Sequence, residues 1–214
     1  VYGNMEPQKA ATEAVRETEG QILCQNGEAV EAYYFSTSAG VTSTDEIWGS
    51  DEAAPYLRSV PCKFDEEEPW SSWIVELPWK MLEDRIREKG EGTVLRSVTV
   101  TRRSESGAAT ALEAVSDKDS CIIENEYEIR KFLAPVNCMI TEKDGTETAG
   151  GSLLPSAYFE LERTQNGNLQ VRGKGYGHGV GMSQTGADKM AEQGYDYREI
   201  LDYFFRNITV ENLG

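Results

Sequence analysis

Five glycines occupy every second position from Gly173 to Gly181, within the stretch GKGYGHGVGMSQTGADKMAEQG. No other feature of the chain limits its fold so sharply. The alternation leaves one face of an extended segment without side chains, so another backbone or a ligand can come close, and glycine tolerates the left-handed φ that such approaches demand. The stretch carries the only histidine, His178, and the residues after it predict a helix over 180–193. A helix start presents unpaired N–H groups, here close in sequence to His178, Ser183 and Gln184.

Several chemistries fail on spacing. A dinucleotide fingerprint needs G-x-G-x-x-G, but the sixth position counted from Gly173, Gly175, Gly177 or Gly179 is His178, Val180, Met182 or Gln184. No G-x-x-x-x-G-K-[ST] phosphate loop occurs. One histidine with no neighbouring cysteine supplies at most one metal ligand. Ser36 or Ser183 with His178 as base would make a serine–histidine hydrolase, without the G-x-S-x-G elbow that often accompanies one. What the stretch suits is hydrogen bonding to carbonyl and hydroxyl groups, as on an N-acetylated sugar. The plainer alternative is a tight strand-to-helix turn whose glycines serve packing and whose His178 bonds a backbone carbonyl.

Charge narrows the partners. With 37 acidic against 21 basic residues in 214, the net charge is −16. That argues against nucleic acid, whose affinity rests on Lys and Arg neutralising phosphates, and against an anionic membrane surface; a weakly charged polymer such as a glycan remains compatible. No apolar run approaches the roughly 18 residues that span a bilayer, and because the chain begins at Val1 an anchor ahead of it is compatible too. Cys24, Cys62, Cys121 and Cys138 are widely separated and are read as buried thiols, with two disulfides as the alternative.

The chain reads as α+β, with mixed helices and antiparallel hairpins. MEPQKAATEAVRETEG predicts a helix with Pro7 in its first turn, an apolar stripe of Ala10, Ala11, Ala14 and Val15, and a stop at Gly20. QILCQNGEAVEAYYFS predicts a hairpin turning at Asn26-Gly27, with Ala32, Tyr34 and Ser36 on one face of its second strand and Tyr33 and Phe35 on the other. A long hydroxyl-rich loop follows. Residues 74–133 read as a small α+β lobe inserted into a main domain of residues 1–73 and 134–214. Within the lobe are a strand and helix from Trp73 to Gly90, two strands across a Ser-Gly turn, and a strand and helix ending at Pro135. Residues 137–156 read as irregular surface. A hairpin at Asn166-Gly167, a helix in YREILDYFFRN and a final strand ITVEN complete the pattern.

Two blocks then resemble a known family. GKGYGHGVGMSQTGADKMAEQGYDYREILDYFF, together with AYYFSTSAGVTSTDEIWG and PYLRSV upstream, resembles the stage II sporulation protein D family, the SpoIID/LytB type. KAATEAVRETEGQIL also fits, so the resemblance runs through essentially the whole chain. It implies peptidoglycan processing: a lytic transglycosylase that cleaves denuded glycan strands between N-acetylmuramic acid and N-acetylglucosamine, leaves a 1,6-anhydromuramic end, and works with an amidase partner during engulfment. It implies placement on the cell-wall side of the membrane, held by an N-terminal anchor. Because LytB-type relatives are described as amidase enhancers, the alternative is a non-catalytic wall-binding module.

A lytic transglycosylase needs one Glu, which protonates the leaving oxygen and then takes the proton from the sugar's own 6-hydroxyl. The resemblance puts that Glu in a Glu-Met-Pro-type motif upstream of Val1, along with any zinc ligands. Met5-Glu6-Pro7 reverses the motif's first two residues and reads as an ordinary helix start. No catalytic residue and no cofactor is therefore expected in this chain. Ser36, Thr37, Ser38 and Gly40 match the first block, and Gly177, His178, Gly179, Ser183 and Gln184 the second. With Trp48 and Tyr56 as stacking aromatics, these residues are expected to line the groove. Glu31, Asp45 and Glu46 are read as solvated or capping. Ala39 stands where the family has glycine, and Thr185 where it has tyrosine.

Overall fold

Asparagine–glycine pairs place two hairpins where left-handed backbone costs least. In the computed structural model, which describes residues 8–50 and 52–213, Asn26 and Gly27 turn at φ 54° and 80°. They join β1 (Gln21–Gln25) to β2 (Glu28–Ala29), and β13 (Thr209–Asn212) pairs on the other side of β1. The turn at 166–167 joins β10 (Phe159–Arg163) to β11 (Leu169–Gly173) in full antiparallel register. β11 continues through β4 (Trp73–Leu77) and β8 (Met139–Glu142) to β9 (Glu147–Ala149), completing a five-stranded antiparallel sheet. A third sheet holds β5 (Leu95–Arg103), β6 (Ala109–Ser116) and β7 (Ser120–Glu124). With helices α1 (Lys9–Glu17), α2 (Trp79–Glu88), α3 (Glu126–Phe132), α4 (Gln184–Glu192) and α5 (Tyr197–Phe204), the fold is α+β.

Burial follows strand alternation. β4 buries Trp73, Val75 and Leu77 and exposes Ile74 and Glu76, as the two-residue period requires of a strand with one face on a core. These side chains pack with Leu82 and Ile86 of α2, Leu112 of β6, Ile129 and Phe132 of α3, and Leu154, Phe159 and Val171. A second core gathers Ile47, Leu57, Val60, Cys62, Val180, Met190, Ile200, Phe204 and Phe205. Residues 74–133 thus share one core with residues from both sides of that span.

Several local expectations are corrected. The second strand of the first hairpin stops at Ala29, and Tyr34–Phe35 forms a separate strand, β3, that pairs in parallel with β12 (Met182–Ser183). Phe35 is buried and Tyr34 exposed. Residues 137–156 are not wholly irregular: β8 and β9 turn over Asp144-Gly145. The helix expected from 180 starts at Gln184, because Met182 and Ser183 are held in strand. α1 ends at Glu17 rather than at Gly20, and it buries none of its residues, so Ala10, Ala11, Ala14 and Val15 face solvent. Glu6 and Pro7 lie outside the described residues. All four cysteines are free, but only Cys24 and Cys62 are buried; Cys121 and Cys138 are half-buried.

Candidate functional site around the glycine ribbon

The bare face of the glycine ribbon meets protein backbone. Thr37 and Tyr176 exchange backbone hydrogen bonds of 3.0 and 2.8 Å, the Met182 N–H donates to the Tyr33 carbonyl at 3.0 Å, and the Thr185 N–H donates to the Ser36 carbonyl at 3.0 Å. Side chains at the glycines would forbid this. A Cβ on Gly175 would lie 2.8 Å from the Thr37 carbonyl oxygen, and one on Gly181 would overlap the Tyr33 carbonyl, while φ is +75° and +80° at the two positions. On its other edge the ribbon is fastened as firmly, with Gly175 N–H donating to the Trp70 carbonyl and Gly177 N–H to the Pro155 carbonyl, each at 2.8 Å. The ribbon is thus clamped between backbone on both edges.

Behind the clamp lies a carboxylate that the sequence does not advertise. Asp65 is 1% exposed and accepts from the Ser38 N–H at 2.5 Å, the Ser183 hydroxyl at 2.7 Å and the Cys62 thiol at 3.2 Å. It therefore joins the Ser36–Gly40 loop to the start of α4, whose N-cap is Ser183. Burial, reinforced by the Asp65 charge, pushes the Cys62 thiol up to about 12. In sequence Asp65 opens an acidic run, Asp65-Glu66-Glu67-Glu68, which reads as solvated surface.

His178 sits half-buried between Phe35 and Trp48, with ring centroids 5.8 and 5.1 Å away. Its Nδ1 accepts from the Val180 N–H at 3.1 Å, so in the neutral ring the proton rests on Nε2. Burial pulls its pKa below the ordinary 6.5; the Arg130 charge acts in the same direction, and Glu126 and a hydrogen bond to the Tyr34 backbone oppose it. Glu126 and Arg130, 2% and 8% exposed, form an ion pair of 2.5 Å. Nearby, the Tyr158 ring packs on Gly179 and its hydroxyl meets Ser43 at 2.8 Å and Ser106 at 3.1 Å.

The residues singled out from sequence fall into three places. Ser36, Thr37, Ser38, Gly177, His178, Gly179, Ser183 and Trp48 come together around the clamp. Thr37, Ser38, Gly179 and Ser183 are buried, while Ser36, Gly177, His178 and Trp48 are half-buried. Gly40 and Gln184 are exposed at its rim. Tyr56 stands apart, packed on the second core. The Ser183 hydroxyl is committed to Asp65 and that of Ser36 lies 3.3 Å from Thr37, so neither bonds His178. The departure at Thr185 has a use, since its hydroxyl donates to the Ser36 carbonyl at 2.9 Å. Among the described residues no group of three or more His, Cys, Asp or Glu gathers in a way that could hold a metal ion.

Hollows surround the clamp. One of about 310 Å³ lies beside Ser38, Ala39 and Gly40, with Ser71, Ser72, Lys143 and Lys174. Another of about 240 Å³ lies beside Trp48, with Glu46, Arg102 and Asn125. A third, of about 390 Å³, opens between Trp70 and Tyr176. Trp70, Tyr176, Asp65, Glu126 and Arg130 were all missed by sequence reasoning. The aromatic set between glycines at Tyr176 was a usable signal, whereas nothing local marked Trp70 or the burial of Asp65, Glu126 and Arg130.

The family described as Domain of unknown function (DUF8618) matches residues 56–181. The chain belongs to that family. It is 31% identical over 202 residues to stage II sporulation protein D of Bacillus amyloliquefaciens, covering 94% of this chain and 51% of that one. The same-named protein of Bacillus subtilis (strain 168) is 30% identical over 203 residues, with the same coverage. An amidase enhancer of Bacillus subtilis (strain 168) is 23% identical over 243 residues, 98% of this chain and 34% of that one. The similarity to stage II sporulation protein D seen in the two sequence blocks thus holds along almost the whole chain, which spans about half the length of those two relatives.

Proposed function

We propose that this domain grips denuded peptidoglycan glycan strands on the cell-wall side of the membrane. Within a longer protein it would serve a lytic transglycosylase that produces anhydromuramyl ends during sporulation, in company with an amidase. The observation that carries this reading is the similarity to stage II sporulation protein D over 94% of the chain. Geometry adds support: the two blocks that bear the resemblance interlock into one rigid unit, ringed by hollows that offer hydroxyl and aromatic groups.

The proposed acid/base Glu lies outside these residues, where the resemblance puts it, and several carboxylates around the clamp already have partners. Asp65 accepts three hydrogen bonds and Glu126 is paired with Arg130. Glu31 accepts from the Tyr33 hydroxyl, Asp45 from the Ala54 N–H and Glu46 from Thr44.

A second reading, an amidase-enhancing module without catalysis, is favoured by the 23% identity to the amidase enhancer across 98% of the chain. Denuded glycan strands incubated with this chain, and with a version extended to include an upstream Glu, separate the readings by mass spectrometry. Anhydromuramyl products from the extended protein alone are expected. Products from neither protein, with stimulation of an amidase by both, would overturn the transglycosylase in favour of the module.

A further inference from the structure

The hollow between Trp70 and Tyr176 has the features of a built pocket. Its volume, about 390 Å³, falls in the lower part of the roughly 300–1,000 Å³ range of small-molecule sites. The two rings stand edge to face, centroids 4.6 Å apart at 63°, and so make a corner. Both walls are fixed through the backbone: Tyr176 by its paired bonds to Thr37, Trp70 by its carbonyl, which takes the Gly175 N–H. Preorganised walls cost little to order when a ligand arrives.

The polar tips of the corner are free. Trp73 and Trp79 donate their indole N–H groups to the carbonyls of Gly175 and Leu95. The Trp70 N–H and the Tyr176 hydroxyl, by contrast, bond no described residue, and Tyr176 is 42% exposed. The remaining lining includes Thr148, Ser152 and Pro155, and its only charged group is Arg130. That guanidinium is consumed by Glu126 and by the carbonyls of Leu154 and Pro155. A peptide stem, with its carboxylates and ammonium groups, would find no counter-charge here. A pyranose, with an apolar C–H face for a ring and hydroxyls for the tips, would.

We propose that this corner is a separate sugar subsite, taking one neutral N-acetylated pyranose of a glycan strand; the proposal rests on the glycan-binding reading above. Arg130 lines the pocket and pairs with Glu126, and Pro155, also in its lining, takes the N–H of Gly177, the neighbour of His178. The subsite therefore backs onto the histidine side of the clamp. The glycines on either side then have a use beyond packing: they hold Tyr176 on an immobilised backbone with no side chain directly before or after it.

The test titrates the ¹⁵N-labelled chain with N,N′,N″-triacetylchitotriose and follows amide and indole cross-peaks by NMR. The Trp70 indole N–H peak is expected to move, and Tyr176→Ala to weaken binding about tenfold with its amide spectrum otherwise native. Trp70→Phe, which keeps a ring against the core, should weaken it less. Binding that moves the Ser36–Gly40 amides and leaves the Trp70 indole still would overturn the subsite and leave the glycan reading standing. Failure to bind both the trisaccharide and denuded glycan strands would overturn both. Movement of the indole by a free stem pentapeptide but not by the trisaccharide would overturn the sugar assignment.

Discussion

At the scale of single residues, buried polar groups set the terms. Asp65 is tolerated inside because it accepts three hydrogen bonds, and a buried carboxylate without such partners would cost several kcal/mol. His178 is held in the opposite sense, since burial favours its neutral form. With its pKa depressed in the fold, the unfolded chain binds the proton more tightly, so stability rises with pH. The group costs the fold nothing above about pH 6.5 and destabilises it increasingly as pH falls from there to the lower folded value. The urea midpoint of the wild-type chain should therefore drop between pH 7.5 and pH 5.5 by more than that of His178→Asn, whose side-chain oxygen can still accept from the Val180 N–H. Equal drops would show that other groups carry the dependence.

At the scale of elements, the join between β3 and β12 is what the glycines protect. In Gly181→Ala a methyl would overlap the Tyr33 carbonyl at φ +80°, whereas in Gly40→Ala the methyl meets nothing within 4 Å at φ +93°. Left-handed strain alone costs about 1–2 kcal/mol, so the Gly40 variant should lose about that much. The Gly181 variant should lose about 3 kcal/mol or more. Urea unfolding with unchanged m values would measure both, and equal losses would sink the packing account. Much of this level was legible in the sequence, because turn chemistry is local: Asn26-Gly27, Asn166-Gly167, Pro78 and Gly90 mark real boundaries. Asp144-Gly145 carried the same signal for the turn between β8 and β9 and was passed over. The break after Ala29 could not be read, since it depends on Tyr34 and Phe35 finding Met182 and Ser183. Nor could the buried state of Asp65, Glu126 and Arg130 be read: an acidic run and an i,i+4 pair look identical on a surface helix or loop.

At the scale of the whole molecule, two cores of different origin lie side by side. One is drawn from a continuous span, Trp73 to Val171. The other is assembled from segments before and after it, from Ile47 through Cys62 and from Val180 through Phe205, with Ala108 and Ala157 added. The seam between them includes the Tyr158–Ser43–Ser106 hydroxyl cluster and the Ala109 N–H donating to the Ala157 carbonyl. The β5–β6–β7 meander inside the first span closes short loops, whereas contacts between distant segments, such as Phe35 with Ser183, close long ones, at a higher entropic cost. Pulsed hydrogen exchange during refolding should accordingly protect Leu112 and Ala114 before Val180 and Phe204; the reverse order would refute this sequence of events.

The strand β13 carries that reasoning to the ribosome. Thr209 reaches back to the Cys24 carbonyl across 185 residues, and β1 can pair with β13 only once that strand has emerged. Synthesis from the N-terminal side therefore leaves β1 without its β13 partner until almost all of these residues have been made, and leaves Ser36 and Ser183 apart through most of that time.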